Sequence, residues 1–259
     1  MSALVPRVVA LVVNRVRVNR VQQRVLEGVP VFVKRRKAGG QISVRLVNLL
    51  LALAHSGLCM FVSADEWIAW EIHCGRLLYP EGPAAKAGPG PVLIMPKISG
   101  TSLRTLLHHG EMDVEKAVIL AAHELRRAHH LQCNYYKAAW SHGDLHLDNI
   151  ICDLSAERAV LIDFDIHHDF RMGQTHRHGD DVKVVVLELL GQSNDRWSQL
   201  ATAFINQYGE GDVLSELRRQ LVVPRGFARL LWYSRTNGSS IRRIEPRLQR
   251  LREIIQARN

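Results

Sequence analysis

Nine residues, Ser141-His142-Gly143-Asp144-Leu145-His146-Leu147-Asp148-Asn149, constrain the fold more than any other stretch of this 259-residue chain. They form a polar loop with an acid and an amide five positions apart. Two short apolar runs follow, Ile150-Ile151-Cys152 and Ala159-Val160-Leu161-Ile162, separated by a polar turn. Such runs read as paired strands, and a hairpin there carries Asp163 back beside Asn149. Taken singly, Asp144 and Asn149 are residues a turn uses to cap its own backbone, and Asp163 is a strand-ending acid. Taken together they bring carboxylate and amide oxygens to one point, the ligand type preferred by a hard cation such as magnesium.

The chain before this loop mixes strand and helix signals. Val12 to Leu26 alternates valine with arginine, Val29 to Lys34 does so less cleanly, and Glu27-Gly28 supplies the turn between them, which predicts a β-hairpin with Lys34 near the end of its second strand. Gln41 to Ala54 is apolar with leucines at helical spacing. Ser63-Ala64-Asp65-Glu66 is a capping box that opens a helix through about Leu78. Tyr79-Pro80-Glu81-Gly82-Pro83 ends it, a Gly/Pro/Ala-rich loop runs to Pro91, and Val92 to Met95 is a short strand. Pro96 to Thr101 reads as a connector.

Helical patterns dominate from Ser102 onward: Leu103 to His109, Asp113 to about Gln132, Asp181 to Leu190, Val213 to Leu221 and Ser240 to Ala257. His167 to Gly179 is polar and reads as irregular. The expected division is therefore residues 1–95, a connector at 96–101, and 102–259. The fold class is α+β, with strands concentrated in the first part and helices in the last.

Bulk properties narrow the setting. An apolar content of 47% suffices for a packed core. Cys59, Cys74, Cys133 and Cys152 contain no C-x-x-C pair, so neither a disulfide framework nor a cysteine zinc site is expected. The apolar run Val8 to Val13 is far short of the roughly 20 residues that span a bilayer, and the expected location is cytoplasmic or peripheral at the inner membrane. Residues 1–40 carry nine Lys/Arg against one acid and residues 215–259 eleven against three, while the middle holds fourteen against twenty-one. An acidic centre suits cation binding, and basic flanks suit an anionic neighbour as well as ordinary solvated surface.

His142, Gly143, Asp144, His146 and Asn149 match the H-G-D-x-H-x-x-N loop of aminoglycoside phosphotransferases. Ile162, Asp163, Phe164 and Asp165 match the I-D-F-D typical of lipopolysaccharide-core kinases of the Kdo/WaaP type. The chain thus resembles the protein-kinase-like superfamily over nearly its whole length. That resemblance implies a two-lobed fold, a small β-rich N-lobe and a mostly helical, reduced C-lobe, with ATP and Mg2+ between them. It implies that Asp144 positions an acceptor hydroxyl, that Asn149 and Asp163 hold magnesium, and that Met95, Lys97 and Ile98 border the nucleotide. His146 stands where ordinary protein Ser/Thr kinases carry Lys, which leans away from them.

Lys34 resembles the strand lysine that grips the α- and β-phosphates, although the run Lys34-Arg35-Arg36-Lys37 also reads as solvated surface. A helix glutamate must pair with such a lysine, and Glu66 and Glu71 compete. Five positions at roughly 100° each set them about 140° apart. Glu66 is engaged in the capping box, whereas Glu71 shares the apolar face of Trp67, Cys74 and Leu78, so Glu71 is chosen. No glycine-rich loop lies between the first two strands, which keeps a non-catalytic pseudokinase scaffold as the rival from another class. Asp163 to Asp180 lacks an A-P-E element and leaves no platform for an extended peptide. The favoured acceptor is a lipopolysaccharide-core sugar or similar glycan, ahead of a protein hydroxyl and of an aminoglycoside-like small molecule.

Four histidines, His167, His168, His176 and His178, lack the spacing of a zinc set and read as solvated. Asp180 and Asp181 resemble the aspartate that braces the catalytic loop, and helix N-capping would look the same. In the last helix Ile241, Ile244, Leu248, Leu251 and Ile255 form one stripe, with Arg242, Arg243, Arg247 and Arg250 elsewhere. The stripe is expected to dock on the protein, and the arginines to offer an anionic membrane surface a contact. Nucleic acid is not expected, since no recognised module or interleaved aromatics accompany the charge.

Overall fold

The computed structural model describes residues 18–82, 84–110, 113–192, 195–226, 228–236 and 238–258. The fold is α+β, with small antiparallel sheets. The chain forms two compact units, one running through Ile98 and including Asp163–Asp169, the other holding Ser99–Ile162 and Phe170–Asn259. Each is described by itself.

In the first unit β1 (Asn19–Leu26) and β2 (Val29–Arg36) pair antiparallel with Leu26 opposite Val29. The loop is therefore two residues long. Glu27 and Gly28 both have positive φ (52° and 79°), the turn geometry whose twist suits flanking strands and which glycine adopts without strain. Residues 12–17 of the expected first strand lie outside the described residues. Helix α1 (Gly40–Leu53) leads to β3 (Leu58–Met60), then α2 (Ala64–Leu78). Ser63 caps α2 by accepting from the Glu66 N–H, as the capping-box reading requires. Strands β4 (Lys86–Ala87) and β5 (Val92–Pro96) complete a sheet of order β1-β2-β5-β4. The core of this unit holds Trp67, Ile68 and Leu93, with a second cluster of Val18, Val44 and Met60.

The second unit begins with β6 (Thr101–Ser102), α3 (Leu103–His109) and α4 (Val114–His129). Along α4 Val114, Ala117, Val118, Ala121, Ala122, Leu125 and Ala128 are buried, the i, i+3, i+4, i+7 stripe that turns a helix inward. A small pair, β7 (Gln132–Cys133) and β8 (Ala138–Ala139), precedes the polar loop. The loop closes in a 3-10 turn at Leu147–Asn149, and β9 (Ile150–Asp153) and β10 (Arg158–Leu161) form the expected hairpin, with β6 on its other edge. Gly100 sits at φ 125°, and a Cβ there would lie 2.6 Å from the Cys152 carbonyl oxygen, so only glycine fits beside that strand.

Two sequence expectations need correction here. The segment 167–179 is not irregular throughout, because β11 (Ile166–His168) pairs with β3, and α5 (Gln174–Leu190) starts seven residues before Asp181. The β3 pairing is also what groups Asp163–Asp169 with the first unit rather than with 102–259. The polar residues of the first turns of α5 disguised the helix, since Arg177, His178, Asp180 and Asp181 are all buried. Helices α6 (Trp197–Tyr208), α7 (Gly211–Gln220), α8 (Ala228–Arg235) and α9 (Ile241–Arg258) follow, with α6 and α8 not anticipated.

In α9 the stripe Ile244, Leu248, Leu251 and Ile255 is buried, as expected of a docked helix. Its arginines are more occupied than expected. Arg243 and Arg247 donate to the Gln192 carbonyl and Arg247 also to that of Leu190, at the end of α5. Arg252 Nε donates to the Leu221 carbonyl at 2.8 Å, at the end of α7, and Arg258 reaches the Ile205 carbonyl in the last turn of α6. Cations placed on the orphan carbonyls of helix C-termini complement the helix dipole. Of the four arginines named from sequence, Arg242 and Arg250 remain exposed. No helix among the described residues is long and apolar enough to cross a membrane.

Candidate active site

The alternation of β2 sorts its basic run. Lys34 and Arg36 turn inward and are buried, while Arg35 and Lys37 are exposed. Inward-facing Lys34 Nζ donates to Glu71 Oε1 at 2.6 Å and to Asp163 Oδ1 at 2.6 Å, and it pairs with Asp165 Oδ1 at 2.8 Å. Glu71, the candidate on the apolar face of α2, is thus the one that meets Lys34. Glu66 stays at the capped end of the helix.

Helix α2 also holds the segment that bears the two aspartates. Glu71 Oε2 accepts from the Phe164 N–H, the Trp70 indole donates to the Phe164 carbonyl at 3.0 Å, and the Trp67 indole donates to Asp165. Asn19 donates to the other Asp165 oxygen at 2.8 Å. Asp163 itself has φ 65°, left-handed backbone that a non-glycine residue adopts only when its surroundings impose it. Arg36 lies 4.7 Å from the Trp67 ring and donates to the carbonyls of Phe61, Val62 and Ser63, anchoring the approach to α2.

Three carboxylates outnumber the two cations, Lys34 and Arg36. Burial alone would pull the Lys34 ammonium down, but Asp163, Asp165 and Glu71 together hold it well above its ordinary value. Burial pushes the Glu71 carboxyl up to about 7 against the pull of Lys34, and Asp165 and Asp163 add to the rise. Ligand oxygens of Glu71, Asp163 and Asp165 lie within 4.8 Å of one another. Hard oxygen donors, surplus negative charge and a 44% exposed Asp163 side chain fit a divalent cation such as magnesium. Met95 is half-buried against the Trp67 cluster, Lys97 is exposed, and Ile98 is half-buried. Val21, directly opposite Lys34 in the β1–β2 register, is 52% exposed and offers apolar surface on β1.

In the second unit the polar loop is held from below by Asp181. Its Oδ2 accepts the His142 N–H at 2.7 Å and its Oδ1 the Gly143 N–H at 2.8 Å. His129 Nε2 adds a third bond at 3.0 Å, and His129 Nδ1 meets the Tyr208 hydroxyl at 2.8 Å. Helix α5 begins at Gln174, so Asp181 is interior to it and is no N-cap. Asp181 is therefore the bracing residue, and Asp180 pairs with Lys183 instead. Arg177, 1% exposed, donates to Ser141 Oγ and to the carbonyls of Ala139 and Met172.

Within the loop, Asn149 Nδ2 donates to the Asp144 carbonyl at 2.9 Å. The amide oxygen is left as the open acceptor, the orientation a metal ligand needs. Asp144 has its carboxylate 30% exposed, 3.9 Å from His146 Nε2, and His146 Nδ1 lies 3.8 Å from Asp148. The far side of the loop is pinned by Glu188, which accepts the Leu147 N–H at 2.7 Å and pairs with Arg104 at 2.8 Å. Arg104 also pairs with Asp148 at 2.6 Å.

The histidines of the 167–178 stretch are a further correction. His176 is exposed, but His167, His168 and His178 are buried. His178 donates to the Trp140 carbonyl and stacks on His129 with centroids 3.8 Å apart. Among the described residues they form no metal-holding group. Sequence reasoning missed Asp165, Arg36, His129, Arg177 and Glu188 as positioning residues. Asp165 was marked by the I-D-F-D run without a role, and Glu188 left a signal as a lone acid in the otherwise apolar run Val184 to Leu190, where a buried charge needs a partner. No protein-family model matches the chain, and no curated protein matches it.

Proposed function

We propose that this chain is a protein-kinase-like phosphotransferase that moves the γ-phosphate of ATP to a hydroxyl group with the help of magnesium. The observation that carries the reading is the buried cluster in which Lys34, from a strand, meets Glu71, from a capped helix, and Asp163, from the segment after the hairpin. Three segments remote in sequence converge on the groups that phosphoryl transfer uses for charge and metal. In this reading Lys34, oriented by Glu71, steadies the phosphates, and exposed Val21 with half-buried Met95 gives the nucleotide base apolar surface. Asp163 would hold magnesium, which would supply neutralising charge to the phosphoryl oxygens, and the Asn149 amide oxygen would be a ligand of the same hard type. Asp144 orients the acceptor hydroxyl and takes its proton, while His146 adds a second polar contact within the loop. The brace from Asp181 keeps the loop in shape for that step.

The favoured acceptor is a sugar of the lipopolysaccharide core or a similar glycan, on the I-D-F-D segment and the short stretch from Asp163 to α5. A non-catalytic nucleotide-binding scaffold is the second reading, favoured by the Glu27-Gly28 turn, which at two residues is too short to fold over phosphates as a glycine-rich loop does. The test offers γ-labelled ATP and magnesium to a bacterial extract, then separates lipid-glycan, protein and small-molecule pools, with Asp144→Ala and Asp163→Ala as controls. Label in the glycan pool that both variants lose is expected. Label in protein alone redirects the acceptor to a Ser/Thr hydroxyl, and label in the small-molecule pool to an aminoglycoside-like substrate. Magnesium-dependent ATP binding with no label in any pool would establish the scaffold.

A further inference from the structure

Helix α1 is apolar on two opposite sides. Val44 and Leu51 face the core of the first unit, whereas Ile42, Leu46, Leu49 and Leu53 are 73%, 49%, 55% and 50% exposed. At about 100° per residue these four fall within an arc of roughly 60°. A surface helix normally has one apolar stripe, facing its core. A second one facing solvent marks an interaction surface.

The charge around it indicates the partner. Between Val18 and Val62 the chain carries seven Lys/Arg and one acid, Glu27. Lys34 and Arg36 are buried, which leaves Arg20, Arg24, Arg35, Lys37 and Arg45 exposed. Arg45 lies about 60° round the helix from Ile42, on the border of the stripe. An aliphatic stripe bordered by Arg45, on a helix free of carboxylates in a segment rich in exposed cations, has the composition of helices that lie in the bilayer interface. Anionic headgroups attract such cations, whereas a second copy of this chain would bring like charges face to face. Fourteen residues at 1.5 Å span only about 21 Å, so the helix lies along a bilayer and does not cross it. Helix α9 is the weaker candidate, because its stripe is buried and several of its arginines bond helix-end carbonyls.

We infer that α1 is an interfacial element that seats the first unit on an anionic membrane surface. The inference stands apart from the phosphotransferase reading, since vesicle binding needs no nucleotide. The test is co-sedimentation of the full chain with phosphatidylcholine vesicles, with and without phosphatidylglycerol. The expected result is binding that requires the anionic lipid, weakens from low to high salt, and falls about tenfold or more in partition coefficient for Leu46→Glu/Leu49→Glu. Leu46→Met/Leu49→Met should retain it. Urea midpoints of both variants should stay close to that of the parent, because the replaced side chains are exposed. Failure of the parent chain to bind, or equal binding by the Glu and Met variants, overturns the inference. So does a self-associated species in size-exclusion chromatography that the Glu variant dissociates while vesicle binding is absent.

Discussion

Two buried polar clusters, one in each unit, are built on opposite principles. Around Asp181 each acceptor meets a donor: two loop N–H groups and His129 Nε2 converge on one carboxylate. Around Lys34 three carboxylates crowd one ammonium, one of them on left-handed backbone and half open to solvent. A saturated network rigidifies what it holds. A charge-imbalanced one is less stable than it could be, and it improves when a cation arrives. The first holds a loop in place, and the second is the cluster on which the proposed phosphotransferase reading rests.

The sharpest way to break this contrast is to remove each carboxylate in turn. Asp181→Ala strands two buried N–H groups and a histidine, at an expected cost of about 3–5 kcal/mol in urea unfolding. A loss under 1 kcal/mol would show that the brace is dispensable.

Acid titration tests the buried histidines of both units. Burial lowers His167 to about 4 and His178 to about 2, the latter with help from neighbouring His129. Below the unfolded value of about 6.5 the unfolded chain takes up protons that the folded chain refuses. Their contribution is complete above that pH and is lost as pH falls toward the folded values, by up to about 1.4 kcal/mol per pH unit for each histidine. Glu71, raised to about 7, works in the opposite direction, because the folded chain takes up its proton first as pH falls. With two histidines against one carboxyl, urea midpoints measured from pH 7.5 down to 5 should still decline, and His178→Gln should flatten the decline. A flat profile for the parent chain would contradict the burial argument.

A smaller effect is expected at the helix ends. Arg247→Ala frees the Leu190 carbonyl, leaves that of Gln192 to Arg243 and removes the ring contact with Trp197, an expected loss of about 1–2 kcal/mol by thermal unfolding. Arg250→Ala, at an exposed position, should change the midpoint little. The smallest effect on stability belongs to Asp163→Asn. It relieves repulsion among the carboxylates, so stability should stay within about 1 kcal/mol of the parent or rise. Magnesium-dependent transfer should nevertheless fall about 100-fold or more. A variant that keeps its activity would remove Asp163 from the proposed site.

Local patterns carried a good deal of this structure. The polar loop, the 150–161 hairpin, the capping box at Ser63 and the stripes of α4 and α9 follow from periodicity and turn chemistry within a few residues. The choice of Glu71 over Glu66 rested on helical geometry and the capping box, once the resemblance called for a helix glutamate. The start of α5 was hidden because its first turns are as polar as a loop. Arg177, His178 and Asp181 look like surface residues until their partners, 36 to 52 positions away, are known.

The amino-acid sequence by itself therefore determined where most strands and helices and the polar loop lie, because hydrophobic period and capping act between neighbours in the chain. Only the tertiary structure decided that Lys34 and Arg36 turn inward while Arg35 and Lys37 do not. It also decided that Asp181 and not Asp180 braces the loop, that Asp163–Asp169 joins the first unit, and that arginines of α9 serve as helix-end donors. The Asp163–Asp169 segment joins through its pairing with β3, and the other three share one physical reason. A charged side chain can be buried only where opposite charge or hydrogen-bond partners await it, and those partners are set by contacts between segments far apart in the chain.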